Sequence, residues 1–346
     1  MRVLVTGHHG YMGSVLVPAL LDAGHQVTGL DTFFYRGCDL VASAPAINEL
    51  RLDVRDARPE DLAGHDAIVH LAALSNDPLG NLNPELTLEI NFRGTVRMAE
   101  AAREAGVSRF LFSSSCSMYG ASSEELVPET APLRPLTAYA ESKVRSEEAL
   151  AALADDDFSP VYLRNATVYG ASPRLRLDLV LNNLVGWAYT TGAVKILSDG
   201  TPWRPLLHVA DFAAAVLAFL DAPREVAHDE PFNIGSDGEN YQVRDLGDIV
   251  RDTVPGSRVE YAGTGDPDPR SYRVDFGKLR AALPTFGTRW NAVSGARELL
   301  DAYTGAGMTF EDFESARFTR LKRLESLLAS GSLGDDLRWR GDPVPA

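Results

Sequence analysis

The chain has 346 residues, 45% of them hydrophobic and 23% charged, enough material for one large domain, or a large domain with a smaller partner, around a sizeable core. A formal net charge of −15 excludes the nucleic-acid binders, which need basic stripes, and no run of about 18 apolar residues offers a membrane span. The same charge repels anionic ligands at long range, so a diphosphate-bearing ligand would need local arginines to overcome it. The first residues run straight into Val3-Leu4-Val5 and leave no room for a signal peptide. Cys38 and Cys116 are the only cysteines, too few for a disulfide framework, and a reducing cytoplasm is expected.

In chain order, Val3-Leu4-Val5 reads as a buried strand ending at Gly7. Apolar positions at helical spacing run from Tyr11 to Ala23, with Gly24 as the stop. Val27–Leu30 is a second strand, closed by Asp31; Ala67–Leu71 and Arg109–Phe112 are further strands, separated by a helix over Val96–Glu104. A helix over Tyr139–Leu153 precedes a strand at Val161–Leu163. This alternation predicts an α/β fold, a Rossmann doubly wound parallel sheet with right-handed crossovers, over residues 1–170. Beyond Gly170 the pattern weakens. Leu206–Asp221 reads as a helix and Pro231–Gly235 as a strand and turn that complete the first domain within about 205–235. Residues 171–204 and 236–330 are assigned to a smaller α/β substrate-binding lobe, with a loop at Asp266–Pro269 and a loosely held tail at 331–346.

Gly7-His8-His9-Gly10-Tyr11-Met12-Gly13 lies between a strand and a helix. Glycines there permit a tight turn and let backbone N–H groups approach a pyrophosphate at the positive end of the helix. Asp31, at the end of the second strand, suits the two ribose hydroxyls of NAD and would repel the 2′-phosphate of NADP, so NAD is the expected cofactor. Further along its expected path stand Asp53, for the adenine amino group, with Val54; Leu71-Ala72-Ala73, small enough for close approach; and Asn91, which would tie central strands together. His8 and His9, adjacent in a turn, are read as solvated, and with no third ligand in view no metal site is expected.

Tyr139-Ala140-Glu141-Ser142-Lys143 opens a helix, so residues 139 and 143 share a face. An ammonium beside a phenol favours phenolate, which can take a proton from a hydroxyl while hydride leaves for NAD. Ser115 is placed to polarise the developing carbonyl. Cys116 is read as a small buried filler.

Gly7-x-x-Gly10-x-x-Gly13, His70-x-Ala72-Ala73, Ser113-Ser114-Ser115-Cys116-Ser117-Met118-Tyr119-Gly120 and Tyr139-x-x-x-Lys143 resemble the extended short-chain dehydrogenase/reductase family, most of all its NAD-dependent nucleotide-sugar epimerase and dehydratase branch. The resemblance is strong to about Gly170 and looser beyond. It implies Tyr139 as base, Lys143 as its partner and ribose ligand, Ser115 as the third member, Ser113 in the cofactor site, a firmly held NAD, and a homodimer paired through helices of the first domain. Dehydratases of this branch carry Asp-Glu after the catalytic threonine; here Cys116-Ser117 stand there and disfavour dehydration. Trp203-Arg204-Pro205-Leu206-Leu207-His208-Val209 resembles the segment whose arginine grips a substrate diphosphate, with Arg270 as a second cation. Ser75, Thr167, Asn182 and Asn183 are candidate substrate contacts, Thr167 standing where epimerases usually have asparagine, and Trp203 and Tyr272 are candidates to stack on the base. The resulting expectation is C4 epimerisation of a UDP- or dTDP-hexose through a transient 4-keto sugar. Decarboxylation of a sugar acid or reduction of a keto sugar is the alternative, and an NAD-binding sensor without catalysis is the reading from another class.

Overall fold

The computed structural model describes residues 1–41, 45–75, 83–121, 125–261 and 270–341; the predicted Asp266–Pro269 loop lies outside them. A seven-stranded sheet carries the first half of the chain. Its strands are β1 (Arg2–Thr6), β2 (Gln26–Asp31), β3 (Asn48–Arg51), β4 (Ala67–His70), β5 (Arg109–Ser115), β6 (Ser159–Asn165) and, after β7 (Thr167–Tyr169), β8 (Ala193–Ile196) and β9 (Trp203–His208) elsewhere, the returning β10 (Glu230–Ile234). The order is β10-β6-β5-β4-β1-β2-β3 and every pairing is parallel. Parallel strands covered on both faces must be apolar on both, and Val3, Leu4 and Val5 of β1 are wholly buried.

Eight helices of ten residues or more are seen among the described residues: α1 (Gly13–Asp22), α2 (Gly94–Glu104), α3 (Ala138–Leu153), α4 (Val180–Thr191), α5 (Val209–Asp221), α6 (Val243–Thr253), α7 (Ala292–Gly305) and α8 (Arg320–Ala329). Gly24 ends α1 as expected: at φ +83° it lets its own N–H and that of His25 reach the carbonyls of Leu21 and Leu20. One apolar layer joins α1 and α5 to the sheet, and another packs α2 and α3 against the opposite face.

A second core gathers α4, α6 and α7 around Tyr169, Leu206 and Tyr303. Its sheets are small: β7-β9-β11, with β11 spanning Asn240–Gln242, and the parallel pair β8 and β12 (Arg258–Tyr261). Here one expectation fails. Residues 206–208 are strand, and the helix begins only at Val209, because they pair with β7 in continuation of residues 203–205, which pair with β11. The described part of the tail, to Gly341, also differs from expectation. Leu333 and Leu337 are buried with Phe34, Leu74 and α8, Trp339 donates from Nε1 to the Thr32 carbonyl at 2.7 Å, and Arg338 pairs with Asp56. The segment to Gly341 is thus docked on the loop that follows β2.

Candidate active site

The switch point of the sheet lies between β1 and β4, whose chains depart in opposite directions, and a crevice opens there at the carboxyl ends of the strands. Gly7 turns the chain at φ +70°, with its N–H on the Leu30 carbonyl at 2.8 Å. A Cβ at Gly7 would stand 2.9 Å from the Ala72 nitrogen, and one at Gly13 only 2.4 Å from the Gly7 oxygen. The turn is therefore closed on itself and on β4, and it delivers the amino end of α1 to the crevice, a cradle that fits a dinucleotide pyrophosphate. Gly10 is less constrained, since its Cβ would lie 3.1 Å from the Gly7 oxygen.

Asp31 closes β2 and accepts from the N–H groups of Phe33 (2.7 Å) and His9 (3.1 Å). Burial raises its pKa, while the His8 ring and those two N–H groups pull it back. The carboxylate is thus fixed beside the glycine turn, where ribose hydroxyls would reach it. Met12 and Tyr11 line the crevice, and the Tyr11 hydroxyl donates to the Gly170 carbonyl at 2.9 Å. Leu71, Ala73 and Ser75 line it from the end of β4, whereas Ala72 faces the glycines.

Asp53 turns both carboxylate oxygens to Arg55, at 3.0 and 2.7 Å, and caps a short turn, while Val54 packs in the core against Gly94. The expectations for Asn91 and for the two histidines are corrected. Asn91 does not join strands. It brackets Leu74, accepting from its N–H at 2.8 Å and donating to its carbonyl at 3.1 Å, and also donates to the Ser142 hydroxyl at 3.2 Å. It thereby pins the loop after β4 to α3. His8 and His9 are not solvated: His8 covers Gly29 and meets Glu49 at 2.9 Å, and His9 is packed by Arg174, whose charge together with burial lowers the ring's pKa to about 3.

Ser115, Tyr139 and Lys143 do converge on one cleft of about 540 Å³. Thr137 caps α3 by accepting from the Ala140 N–H, so that the partly exposed Tyr139 sits in the first turn. The Lys143 ammonium, one turn on, lies 5.7 Å from the Tyr139 ring centre, 4.6 Å from that of Phe112, and donates to the Ser113 carbonyl at 2.6 Å. Burial lowers its pKa to about 7, against the opposing pull of Glu147. Ser115 ends β5, donates to Ser117 Oγ at 2.9 Å and accepts from the Ser117 N–H at 3.2 Å. Cys116 points away, with its thiol on the Arg164 carbonyl at 3.1 Å and its pKa pushed well up by burial. Ser113, in the cleft wall, accepts from Asn165 Nδ2 at 3.0 Å. His70 is a neutral core group between the hydroxyls of Thr6 and Thr95, its pKa lowered to about 3 by burial and the Lys143 charge.

The far wall belongs to the second core. Thr167, Arg204, Arg270 and Tyr272 line the cleft, and Arg204 Nη1 donates to the Arg270 carbonyl at 2.5 Å, which ties β9 to the segment that opens at residue 270. Asn182 does not line it. That side chain is wholly buried, accepts from the Gly170 N–H and donates to the carbonyls of Gly170 and Arg176, holding the segment after β7 against α4. Asn183 faces the cleft instead, while Trp203 packs under the Arg273 guanidinium. Sequence reasoning missed Lys195, Asn165, Arg176 and Asp178, all in the cleft wall. The alternation Arg174-Leu175-Arg176-Leu177-Asp178 was the available signal: Leu175 and Leu177 enter the core and the charged residues that alternate with them are held in the protein as well. Among the described lining residues, Lys143, Arg176, Lys195, Arg204 and Arg270 face a single carboxylate, Asp178. The cleft is thus a cationic island on an acidic chain, as a diphosphate ligand requires.

A sequence model of the NAD dependent epimerase/dehydratase family matches residues 3–235. UDP-glucose 4-epimerase of Mycolicibacterium smegmatis is 32% identical over 295 residues, 82% of this chain and 92% of that protein. UDP-glucuronic acid decarboxylase 1 of Arabidopsis thaliana is 30% identical over 298 residues, 82% of this chain and 65% of that protein, so the chain spans just under two thirds of that plant enzyme. Among solved structures, MoeE5 in complex with UDP-glucuronic acid and NAD has a TM-score of 0.76 at 28% identity, over 88% of this chain and 100% of that one. Family match, parallel sheet and glycine cradle agree: this chain belongs to the NAD dependent epimerase/dehydratase family, within the extended short-chain dehydrogenase/reductases, with NAD as the family's cofactor.

Proposed function

We propose that the protein is an NAD-dependent nucleotide-sugar epimerase that inverts C4 of a UDP- or dTDP-linked hexose through a 4-keto sugar. The observation that carries this reading is the convergence of Ser115, Tyr139 and Lys143 on one cleft, with no acid at positions 116 and 117 to expel water from the sugar. The glycine turn and Asp31 would hold NAD, which supplies a reversible hydride acceptor. Tyr139, its phenolate favoured by the neighbouring ammonium, takes the proton of the C4 hydroxyl as the C4 hydrogen departs as hydride, and Ser115 donates to the oxygen that becomes the carbonyl. Arg204 and Arg270 would grip the diphosphate while the keto sugar turns. Tyr139 then returns the proton once hydride has come back to the opposite face.

Incubation with UDP-glucose, UDP-galactose and dTDP-glucose is expected to interconvert the C4 epimers. Tyr139→Phe should lower the rate by about 10²–10⁴-fold, the usual contribution of a positioned general base, without loss of bound NAD. Absence of turnover on all three, or an unaffected Tyr139→Phe variant, refutes the reading. The similarity to the plant enzyme supports a second one, decarboxylation of a nucleotide-linked uronic acid; release of CO2 from UDP-glucuronate would identify it.

A further inference from the structure

We propose that the C-terminal segment, residues 317–339, is a working part of the cofactor site: it sets the two turns that receive the adenosine half of NAD, so that cofactor and segment hold each other in place. The inference rests on NAD as the family's cofactor and not on the choice of sugar chemistry. The segment lies wholly outside residues 3–235, which the family model matches, so the family pattern does not supply it. The first turn is the loop after β2, which begins at Asp31. It satisfies the carbonyls of Phe33 and Tyr35 from within, through the N–H groups of Arg36 and Cys38 at 3.2 and 3.1 Å. The carbonyls of Thr32, Phe34, Arg36 and Asp39 are taken by the C-terminal segment. Trp339 Nε1 donates to Thr32 at 2.7 Å, Arg323 donates to Phe34 from Nε at 3.2 Å and to Arg36 from Nη2 at 3.3 Å, and Arg317 donates to Asp39. Most of these donors are guanidinium groups, whose charge-assisted bonds are the strong ones. The loop that carries the ribose carboxylate is thus shaped by chain 278 to 307 positions away.

The second turn follows β3. Arg55 spends Nε and Nη2 on Asp53, the carboxylate that sequence reasoning assigns to the adenine amino group, and its remaining nitrogen, Nη1, donates to the Asp336 carbonyl at 2.9 Å. One guanidinium therefore ties the adenine carboxylate to the segment, and Arg338 repeats the tie at Asp56. A third link reaches the glycine turn: Arg320 Nη2 donates to the Arg174 carbonyl at 2.8 Å, and Arg174 Nε donates to the His9 carbonyl at 3.2 Å. Beneath these bonds, Leu324, Leu327, Leu333 and Leu337 are buried with Phe34 from the loop after β2 and Leu74 from the loop after β4. The segment thereby joins the two sides of the switch point. Ribose, adenine and pyrophosphate would each meet a turn that the segment also holds. Two bodies that grip the same turns are coupled, and the coupling is reciprocal: whatever docking of the segment does for NAD affinity, NAD does for docking of the segment.

The test is amide hydrogen exchange on the full-length, cofactor-free protein, with and without saturating NAD. NAD should slow exchange at least about tenfold in α8, in the residues from there to Trp339 and in the loop after β2, while α6 of the second core changes little. Arg323→Gln combined with Arg338→Gln removes bonds to both turns and leaves the apolar contacts in place. It should weaken NAD about tenfold or more in a calorimetric titration and abolish most of the protection in α8. NAD that leaves exchange over residues 320–339 unchanged, or slows it no more than in α6, overturns the proposal, as does undiminished NAD affinity in the double variant. The exchange measurement on the wild type needs no substitution, so it decides the matter even where the variant folds poorly. If NAD does not bind the wild type at all, the cradle itself falls, and the inference with it.

Discussion

The buried ammonium of Lys143 makes the stability of the cofactor-free protein depend on pH in a calculable way. Burial lowers its pKa to about 7 in the folded chain, against an ordinary lysine value of 10.5. Between those values the unfolded chain binds more protons than the folded one, so stability rises with pH across that window and levels off below about pH 7, where both states are protonated. For these two values the rise from about pH 7 to about pH 9.5 is roughly 3 kcal/mol. Lys143→Met keeps most of the volume and removes the titration. Both forms would be prepared in a Tyr139→Phe background, so that the phenol contributes nothing, and unfolded by urea at intervals between those pH values. The self-repulsion of a chain carrying −15 is nearly common to the two and largely cancels in their difference. The lysine form should gain roughly 3 kcal/mol on the methionine form as pH rises. A difference that stays flat, or that moves against the lysine form, would show that the ammonium is not desolvated as its position between Phe112, Tyr139 and the Ser113 carbonyl requires.

Two other substitutions probe the cofactor cradle. Gly13→Ala places a methyl 2.4 Å from the Gly7 oxygen and 2.5 Å from His8 Cα, whereas Gly10→Ala meets the Gly7 oxygen at 3.1 Å; the first should abolish NAD retention and cost about 1–3 kcal/mol, the second should weaken NAD by less than about tenfold, and equal losses in NAD titrations would contradict the cradle. Trp339→Ala removes the bond to the Thr32 carbonyl and the ring beside Phe34; it should cost about 1–2 kcal/mol and weaken NAD while leaving UDP affinity unchanged, a split that would be absent if the docked end served only general stability.

The first half of the fold was legible because its signals are local. Strands buried on both faces are short apolar runs, and the glycine turn, Asp31, Tyr139 and Lys143 sit at spacings set by one turn or one helix. What was missed depends on partners far away in the chain. The stretch 206–221 is almost continuously apolar, and such a run does not reveal whether its first residues will be claimed by the strand of residues 167–169. His8 and His9 looked solvated because Glu49 and Arg174, which engage them, are 41 and 165 positions away. Asn182 and Asn183 are indistinguishable by type; only the rotation of α4 sends one into the protein and the other to the cleft. Arg176 gave a weak signal for the same reason, since its partner Ser75 lies 101 positions away.

The seventh place in the main sheet is filled by Glu230–Ile234, chain that has first passed through β7, β8 and β9 of the other lobe. Without it, the outer side of β6 would present a row of unsatisfied N–H and C=O groups, an open template for another chain. The two lobes are therefore neither successive modules nor separable by one cut: a break near Gly170 would bare that edge and strip the Tyr11 hydroxyl of its carbonyl partner. The cradle of the glycine turn and the far wall of the cleft are thus built by one continuous thread.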